Sequence, residues 1–141
     1  MTQCRVLCKF PPVKHIKIIA AFALLFAAGS VFALRHPGLP DALEAGWEGN
    51  RVCEKLHEDD QIRVLRCTVP PGGGHERHFH TPHYGYVLSG GKLRIEDDGG
   101  TRIVEVATGS DFYSKGTPWH EAVNIGGTTA SFLVVEPKAA K

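Results

Sequence analysis

The chain has 141 residues, enough for one domain that buries a core without metal or disulfide support. Hydrophobic residues make up 43% and charged residues 22%, which argues against a disordered chain. The formal charge of +1 conceals two unlike parts, because residues 1–33 carry four basic and no acidic residues, whereas residues 34–141 carry 12 basic and 15 acidic residues. This mildly acidic body is not typical of a general nucleic-acid-binding protein, so we expect no nucleic-acid partner.

Residues 1–33 have the pattern of an export signal. A basic segment is followed by an uncharged, mostly apolar stretch from Ile18 to Leu34. A basic start, an apolar centre and a small-residue exit are typical of a signal peptide, with cleavage expected after Ala33. An uncut membrane anchor stays open, since a span needs about 20 apolar residues, and so does a misassigned start upstream of a cytosolic protein. We expect an exported (periplasmic or extracellular) or anchored protein that meets the membrane only through this segment, if the segment is uncleaved.

Two of the four cysteines lie within that segment, and Cys53 and Cys67 remain in the body. An exported protein could bridge them. If their two predicted strands form a hairpin around residues 57–60, however, Cys67 lies two or three residues out of register with Cys53. The sequence therefore favours two half-buried thiols over a disulfide.

The body predicts strands and turns, preceded by a connecting arm at residues 34–50. Sixteen glycines and nine prolines favour tight turns over a helical bundle. Short runs rich in Val, Ile, Leu, Tyr and Phe predict strands near residues 51–56, 61–69, 75–80, 84–88, 92–96, 101–106, 111–114, 119–125 and 129–136. Eight or nine short strands at this spacing predict an all-β sandwich or barrel.

The histidines carry the most specific chemical signal. Residues two apart in a strand share a face, so His78 and His80 point the same way. Neutral imidazole is a common metal ligand, although such a pair taken alone is more often an ordinary hydrogen-bonded one. By the same parity, Glu76 shares their face and is the candidate catalytic acid or base, with a solvent-facing charge as the alternative. His75 has the opposite parity and is expected outside the barrel.

Two motifs around these histidines resemble those of the cupin superfamily. The first motif is commonly written G-x5-H-x-H-x3,4-E-x6-G, and Gly72, His78 and His80 match its spacing. The second is commonly written G-x5-P-x-G-x2-H-x3-N, and Gly109, His120 and Asn124 match its frame. The resemblance implies a single-domain cupin jelly-roll β-barrel over residues 51–137, preceded by the signal or anchor segment.

The chain departs from the family pattern at two places. The glutamate of the first motif is missing. Counting back from a closing Gly90 gives His83 at that position and from Gly91 gives Tyr84, and strand parity favours His83. The Pro-x-Gly turn of the second motif is rearranged at residues 115–118, although the spacing to His120 is kept. A solvent-facing His83 stays open as an alternative. The resemblance therefore implies an all-histidine set of metal ligands: His78, His80, His83 and His120.

The resemblance also implies the cofactor and the class of function. One divalent metal ion is expected in the barrel, with iron favoured and manganese, nickel, copper or zinc also compatible with imidazole ligands. The leading hypothesis is a mononuclear metal-dependent, dioxygenase-like enzyme acting on a small molecule. A non-catalytic cupin module that binds or senses a small ligand is the alternative. A homodimer is expected by family analogy alone.

Overall fold

A computed structural model describes residues 38–139, which contain strands and turns and no helix. The strands are β1 (Gly46–Trp47), β2 (Asn50–Arg51), β3 (Cys53–Glu58), β4 (Ile62–Val69), β5 (Gly74–His80), β6 (His83–Ser89), β7 (Gly91–Asp97), β8 (Gly100–Val106), β9 (Asp111–Ser114), β10 (Thr117–Asn124) and β11 (Ala130–Pro137). The all-β prediction is confirmed, and each of the nine predicted strands is present. The predicted signal or anchor segment lies outside the described residues. Within residues 38–139, no helix has the length and hydropathy needed to cross a membrane.

The strands form two antiparallel sheets and one short hairpin. One sheet has the order β5-β10-β7-β8, the other has the order β3-β4-β11-β6-β9, and β1 pairs with β2. Strands distant in sequence are neighbours in both sheets, as β5 with β10 and β4 with β11. This crossing of connections between two sheets is the topology of a jelly roll.

The connecting arm predicted at residues 34–50 is, from Gly38 onward, part of the folded body. Ala42 and Ala45 are buried, and Ala42 belongs to the hydrophobic core. Asp41 forms a β-bridge with Phe79, and the Phe79 amide donates a hydrogen bond of 3.1 Å to the Pro40 carbonyl oxygen. The domain therefore starts before the predicted boundary at residue 51.

Cys53 and Cys67 form a disulfide, so the prediction of two free thiols is wrong. The two residues are direct partners in the register of β3 with β4. The turn lies about two residues later than predicted, because the Asp59 carboxylate accepts hydrogen bonds from the amides of Gln61 and Ile62 and fixes the turn there. Moving a hairpin turn by two residues shifts the pairing by several positions, which brings the cysteines together.

The apolar core lies along the inner faces of β4 and β11. Its buried members are Ala42, Val52, Cys53, Leu65, Cys67, Val69 and Val134. Within the strands, the alternation of side chains directs the members of this core inward, as expected for sheets with one solvent-exposed face. Beyond this core the barrel is not filled, and a cavity occupies the remaining space.

Candidate metal site

The cavity inside the barrel has a volume of about 460 Å³. Its apolar wall comprises Val69, Val87, Leu93, Ile95, Val104, Val106, Phe112, Ala122, Phe132 and Val134. Four histidines also line it: His75, His80, His83 and His120. An apolar chamber with a few convergent polar groups is the usual form of a small-molecule site.

Three of the predicted ligands lie together: His80 and His120, which line this cavity, and the fully buried His78. The Nε2 atom of His78 lies 3.0 Å from Nε2 of His80 and 2.9 Å from Nε2 of His120. The strands explain why these side chains lie together. His78 and His80 are two residues apart and share one face of β5, and His120 is the partner of His78 on the neighbouring β10. These three side chains form a group able to hold a metal ion.

The nitrogen distances fit a metal ion. Metal–imidazole bonds are about 2.0–2.1 Å long, so two nitrogens bound at a right angle lie about 2.9 Å apart. The two measured separations are 2.9 Å and 3.0 Å. An ion could therefore bind His78 together with either neighbour at these separations, and all three ligand nitrogens lie within 4.8 Å of one another.

Hydrogen bonds to the backbone hold two of the rings in place. Nδ1 of His78 donates a hydrogen bond of 2.5 Å to the Glu76 carbonyl oxygen. Nδ1 of His83 donates one of 2.8 Å to the Thr81 carbonyl oxygen. With the proton on Nδ1, the Nε2 atom of each neutral ring keeps a lone pair for a ligand.

Burial keeps these histidines neutral at ordinary pH. Loss of solvation, together with the neighbouring histidines, lowers the pKa of His120 to about 3 and that of His75 to about 4. Burial also holds the pKa of His78 and of His83 below the usual range. Neutral imidazoles are the form that binds a metal, so His78 and His120 can bind an ion without losing protons.

The structure places His83 beside this group rather than within it. Its ring is buried and lines the cavity, with its centroid 4.5 Å from that of His80. The predicted parity is correct, because His83, Gly85 and Val87 are buried whereas Tyr84 and Tyr86 are exposed. The solvent-facing alternative for His83 is therefore excluded.

A β-bulge makes the parity predictions for His75 and Glu76 wrong. The pairing of β5 with β10 shifts register between the His78 and His75 pairs, so that one extra residue lies on β5. His75 consequently turns inward and is buried, while Glu76 and Arg77 are both exposed. Glu76 accepts a hydrogen bond of 3.1 Å from the Glu48 amide, so the structure does not bring this candidate acid or base to the histidines.

Sequence analysis missed a buried carboxylate behind His80. Glu136 is 3% exposed, and its Oε1 atom lies 3.7 Å from Nδ1 of His80. Burial raises the pKa of this carboxyl, but His80 and Arg63 together hold it below the usual value, so the group is a carboxylate. Strand alternation could have found this residue. Glu136 lies two residues after Val134, so the two side chains share the inward face of β11.

The comparisons with known proteins agree with this architecture. A family model for the cupin domain matches residues 65–136. A cupin domain from Bordetella pertussis is similar in structure, with a TM-score of 0.58, 22% identity, and coverage of 72% of this chain and 97% of that one. An RmlC-like cupin family protein from Methanocaldococcus jannaschii gives a TM-score of 0.51 at 18% identity, covering 64% of this chain and 87% of that one.

One similar structure has a stated activity. The polyketide cyclase RemF from Streptomyces resistomycificus is 32% identical, with a TM-score of 0.50 and coverage of 60% of this chain and 63% of that one. Among curated proteins, none matches this sequence.

Proposed function

Because the chain belongs to the cupin domain family, we propose that it binds one divalent metal ion and uses it in a reaction on a small, largely apolar molecule. The three proposed primary ligands are His78, His80 and His120. His83 is proposed as a fourth ligand, because it lines the same cavity and its hydrogen bond to the Thr81 carbonyl oxygen uses Nδ1. Iron is the metal proposed first, with manganese, nickel, copper and zinc as the other metals that suit imidazole.

The convergence of three Nε2 atoms is the observation that carries this proposal. Nε2 of His78 lies 2.9 Å from Nε2 of His120 and 3.0 Å from Nε2 of His80, so the ring nitrogens are in contact. Burial also keeps His78 and His120 neutral. Neutral imidazoles so placed offer lone pairs that a cation would satisfy together.

The cavity supports a small apolar substrate. When bound, the metal would supply a Lewis acid and a position at which oxygen or a substrate oxygen could bind. The protein's own part is to exclude water and to hold the substrate against the histidines through side chains such as Phe112 and Phe132, which line the cavity. The 32% identity with the polyketide cyclase RemF also supports a reaction on a small molecule.

A dioxygenase-like oxidation is the reaction proposed first, since neutral imidazole ligands and an apolar chamber suit oxygen binding. The alternative is a cupin module that binds or senses a ligand without converting it. The position of Glu76 favours that alternative, because the candidate acid or base lies outside the barrel.

The first test is the metal content of the purified chain, measured by mass spectrometry. We expect about one equivalent in the parent and a loss of that metal in His120→Ala. His57→Ala is the matched control, because His57 is exposed and pairs with Asp59 away from the cavity, so its metal content should equal that of the parent. Absence of metal from the parent, even after each of the five candidate metals is added, would contradict the proposal. If iron is found, oxygen consumption with small aromatic compounds separates the enzyme from the binding module.

We also propose that the protein works outside the cytosol. The disulfide supports this, because disulfides persist mainly in oxidising compartments. Cell fractionation with detection of the folded domain tests it, and a purely cytosolic protein with reduced cysteines would contradict it.

A further inference from the structure

A pair of buried polar atoms lies directly behind the candidate metal site. Nδ1 of His80 and Oε1 of Glu136 have no hydrogen-bond partner among residues 38–139, and they face each other at 3.7 Å. Buried polar atoms in folded proteins are normally paired. A small rotation of either side chain would bring these two atoms within hydrogen-bond distance.

The other oxygen of Glu136 is firmly held. Oε2 accepts a hydrogen bond of 2.6 Å from Nε of Arg63, and Nη1 of the same guanidinium donates one of 2.7 Å to Oδ2 of Asp41. The remaining oxygen of Asp41 accepts hydrogen bonds from the amides of Leu43 and Glu44. The carboxylate of Glu136 is therefore anchored from its outer side, with Oε1 directed at His80.

His80 differs from two of its neighbours in this respect. Nδ1 of His78 and Nδ1 of His83 each donate to a backbone carbonyl oxygen two residues away. The Nδ1 atom of His80 has no such partner among the described residues. Glu136 occupies the position from which that missing acceptor would be supplied.

We propose that Glu136 is a positioning residue for His80. Its carboxylate accepts the Nδ1 proton of His80, so that the Nε2 lone pair of His80 points toward the metal position shared with His78 and His120. Arg63 holds this carboxylate in place through its hydrogen bond to Oε2. This inference rests on the proposed metal site and adds a negative charge behind a ligand set made of histidines alone.

The chemistry gives the size of the effect. A carboxylate that accepts the second ring proton of a metal-binding histidine fixes the tautomer and makes the ligand nitrogen more basic. Loss of such a partner typically lowers metal affinity about 10–100-fold.

Glu136→Gln tests the proposal with little change of shape. Arg63 only donates hydrogen bonds, so the glutamine oxygen would turn toward Arg63 and its NH₂ group toward Nδ1 of His80. That arrangement favours the His80 tautomer with its proton on Nε2, where it blocks the metal. We expect the affinity for Zn²⁺, measured by competition with a chelating dye, to fall about 10–100-fold.

Asp41→Asn is the matched control, because it weakens the outer end of the same chain of charges and leaves Glu136 facing His80. Its Zn²⁺ affinity should fall by less than about tenfold, even if its unfolding midpoint drops as far as that of Glu136→Gln. Equal losses of affinity in both variants would mean that Glu136 acts through stability alone and would overturn the proposal. An unchanged affinity in Glu136→Gln would also overturn it.

A measurement on the zinc-loaded parent keeps the proposal testable if Glu136→Gln does not fold. The Nδ1 proton of His80 should give a proton NMR signal shifted downfield and exchanging slowly with water, as expected for a buried hydrogen bond to a carboxylate. Rapid exchange would overturn the proposal. A parent that binds none of the five candidate metals would instead refute the metal site itself, and with it the role of Glu136 toward that site.

Discussion

The imidazole of His75 stacks on that of His78, with ring centroids 3.7 Å apart and ring planes inclined by 30°. His78 is fully buried, and His75 covers one face of its ring. The stacked ring therefore limits the rotation of a proposed ligand that already donates from Nδ1 to the Glu76 carbonyl oxygen.

Removal of the stacked ring should loosen His78. We expect His75→Ala to lower the free energy of unfolding by about 1–3 kcal/mol, since it leaves a space beside a buried ring. His75→Phe retains an aromatic face against His78 and should lose less stability. Chemical denaturation of the metal-free proteins measures both, and a greater loss in His75→Phe would contradict a packing role for His75.

The disulfide should contribute substantially to stability. It links residues 14 positions apart, and closing a loop of about 15 residues is worth about 3 kcal/mol in the chain-entropy account. We expect the double variant Cys53→Ser, Cys67→Ser to unfold at lower denaturant by that amount. The parent treated with a reducing agent is the control and should approach the double variant, whereas an unchanged unfolding midpoint in both would contradict the prediction.

Gly85 gives room to an aromatic wall of the cavity. A Cβ atom at Gly85 would collide with the ring of Phe112, which lines the cavity opposite it on β9. We expect Gly85→Ala to displace that ring and to cost about 1–3 kcal/mol of unfolding free energy. Gly127→Ala is the control, because nothing lies within 4 Å of a Cβ at that position. Equal stabilities of the two variants would contradict this account.

Asn124, the last residue of the second motif, ties two loops to the barrel. Its buried amide nitrogen donates hydrogen bonds of 2.8 Å to the carbonyl oxygens of Val69 and Thr128, and its oxygen accepts one of 3.0 Å from the Gly126 amide. We expect Asn124→Ala to lower the free energy of unfolding by about 2–3 kcal/mol, because buried backbone groups lose their partners.

Asn50→Ala is the comparison for this prediction, since Asn50 is exposed and makes one longer side-chain hydrogen bond of 3.3 Å. Thermal unfolding followed by circular dichroism compares the two variants. If Asn124→Ala is no less stable than Asn50→Ala, the motif asparagine does not have the structural role assigned to it.

The sequence predicted the features that depend on local alternation. Strand composition and turn residues located the nine strands, and the two-residue spacing of His78 and His80 placed both rings inside the barrel. The second motif brought in His120 in spite of the rearranged turn. The spacing from Gly109 to His120 and Asn124 is unchanged by that rearrangement, and His120 pairs with His78 as the neighbouring ligand.

Predictions failed where alternation is interrupted or where contacts are distant in sequence. One extra residue on β5 reversed the orientations of His75 and Glu76, and no residue type marks that bulge. The side-chain hydrogen bonds of Asp59 moved the β3–β4 turn and with it the pairing of the cysteines. The contact of Arg63 with Glu136 spans 73 residues and depends on the pairing of β4 with β11, which local patterns cannot determine.

The β-bridge between Asp41 and Phe79 determines where a shortened version of the domain can begin. β5 is the edge strand of its sheet, and an uncovered edge can recruit strands from other molecules. Residues 40 and 41 cover part of that edge, and the ring of Trp47 lies against Gly74 where β5 begins. A fragment beginning at residue 51 would lack residues 40 and 41 and would expose the edge of β5, the strand that carries His78 and His80. We therefore expect such a fragment to self-associate.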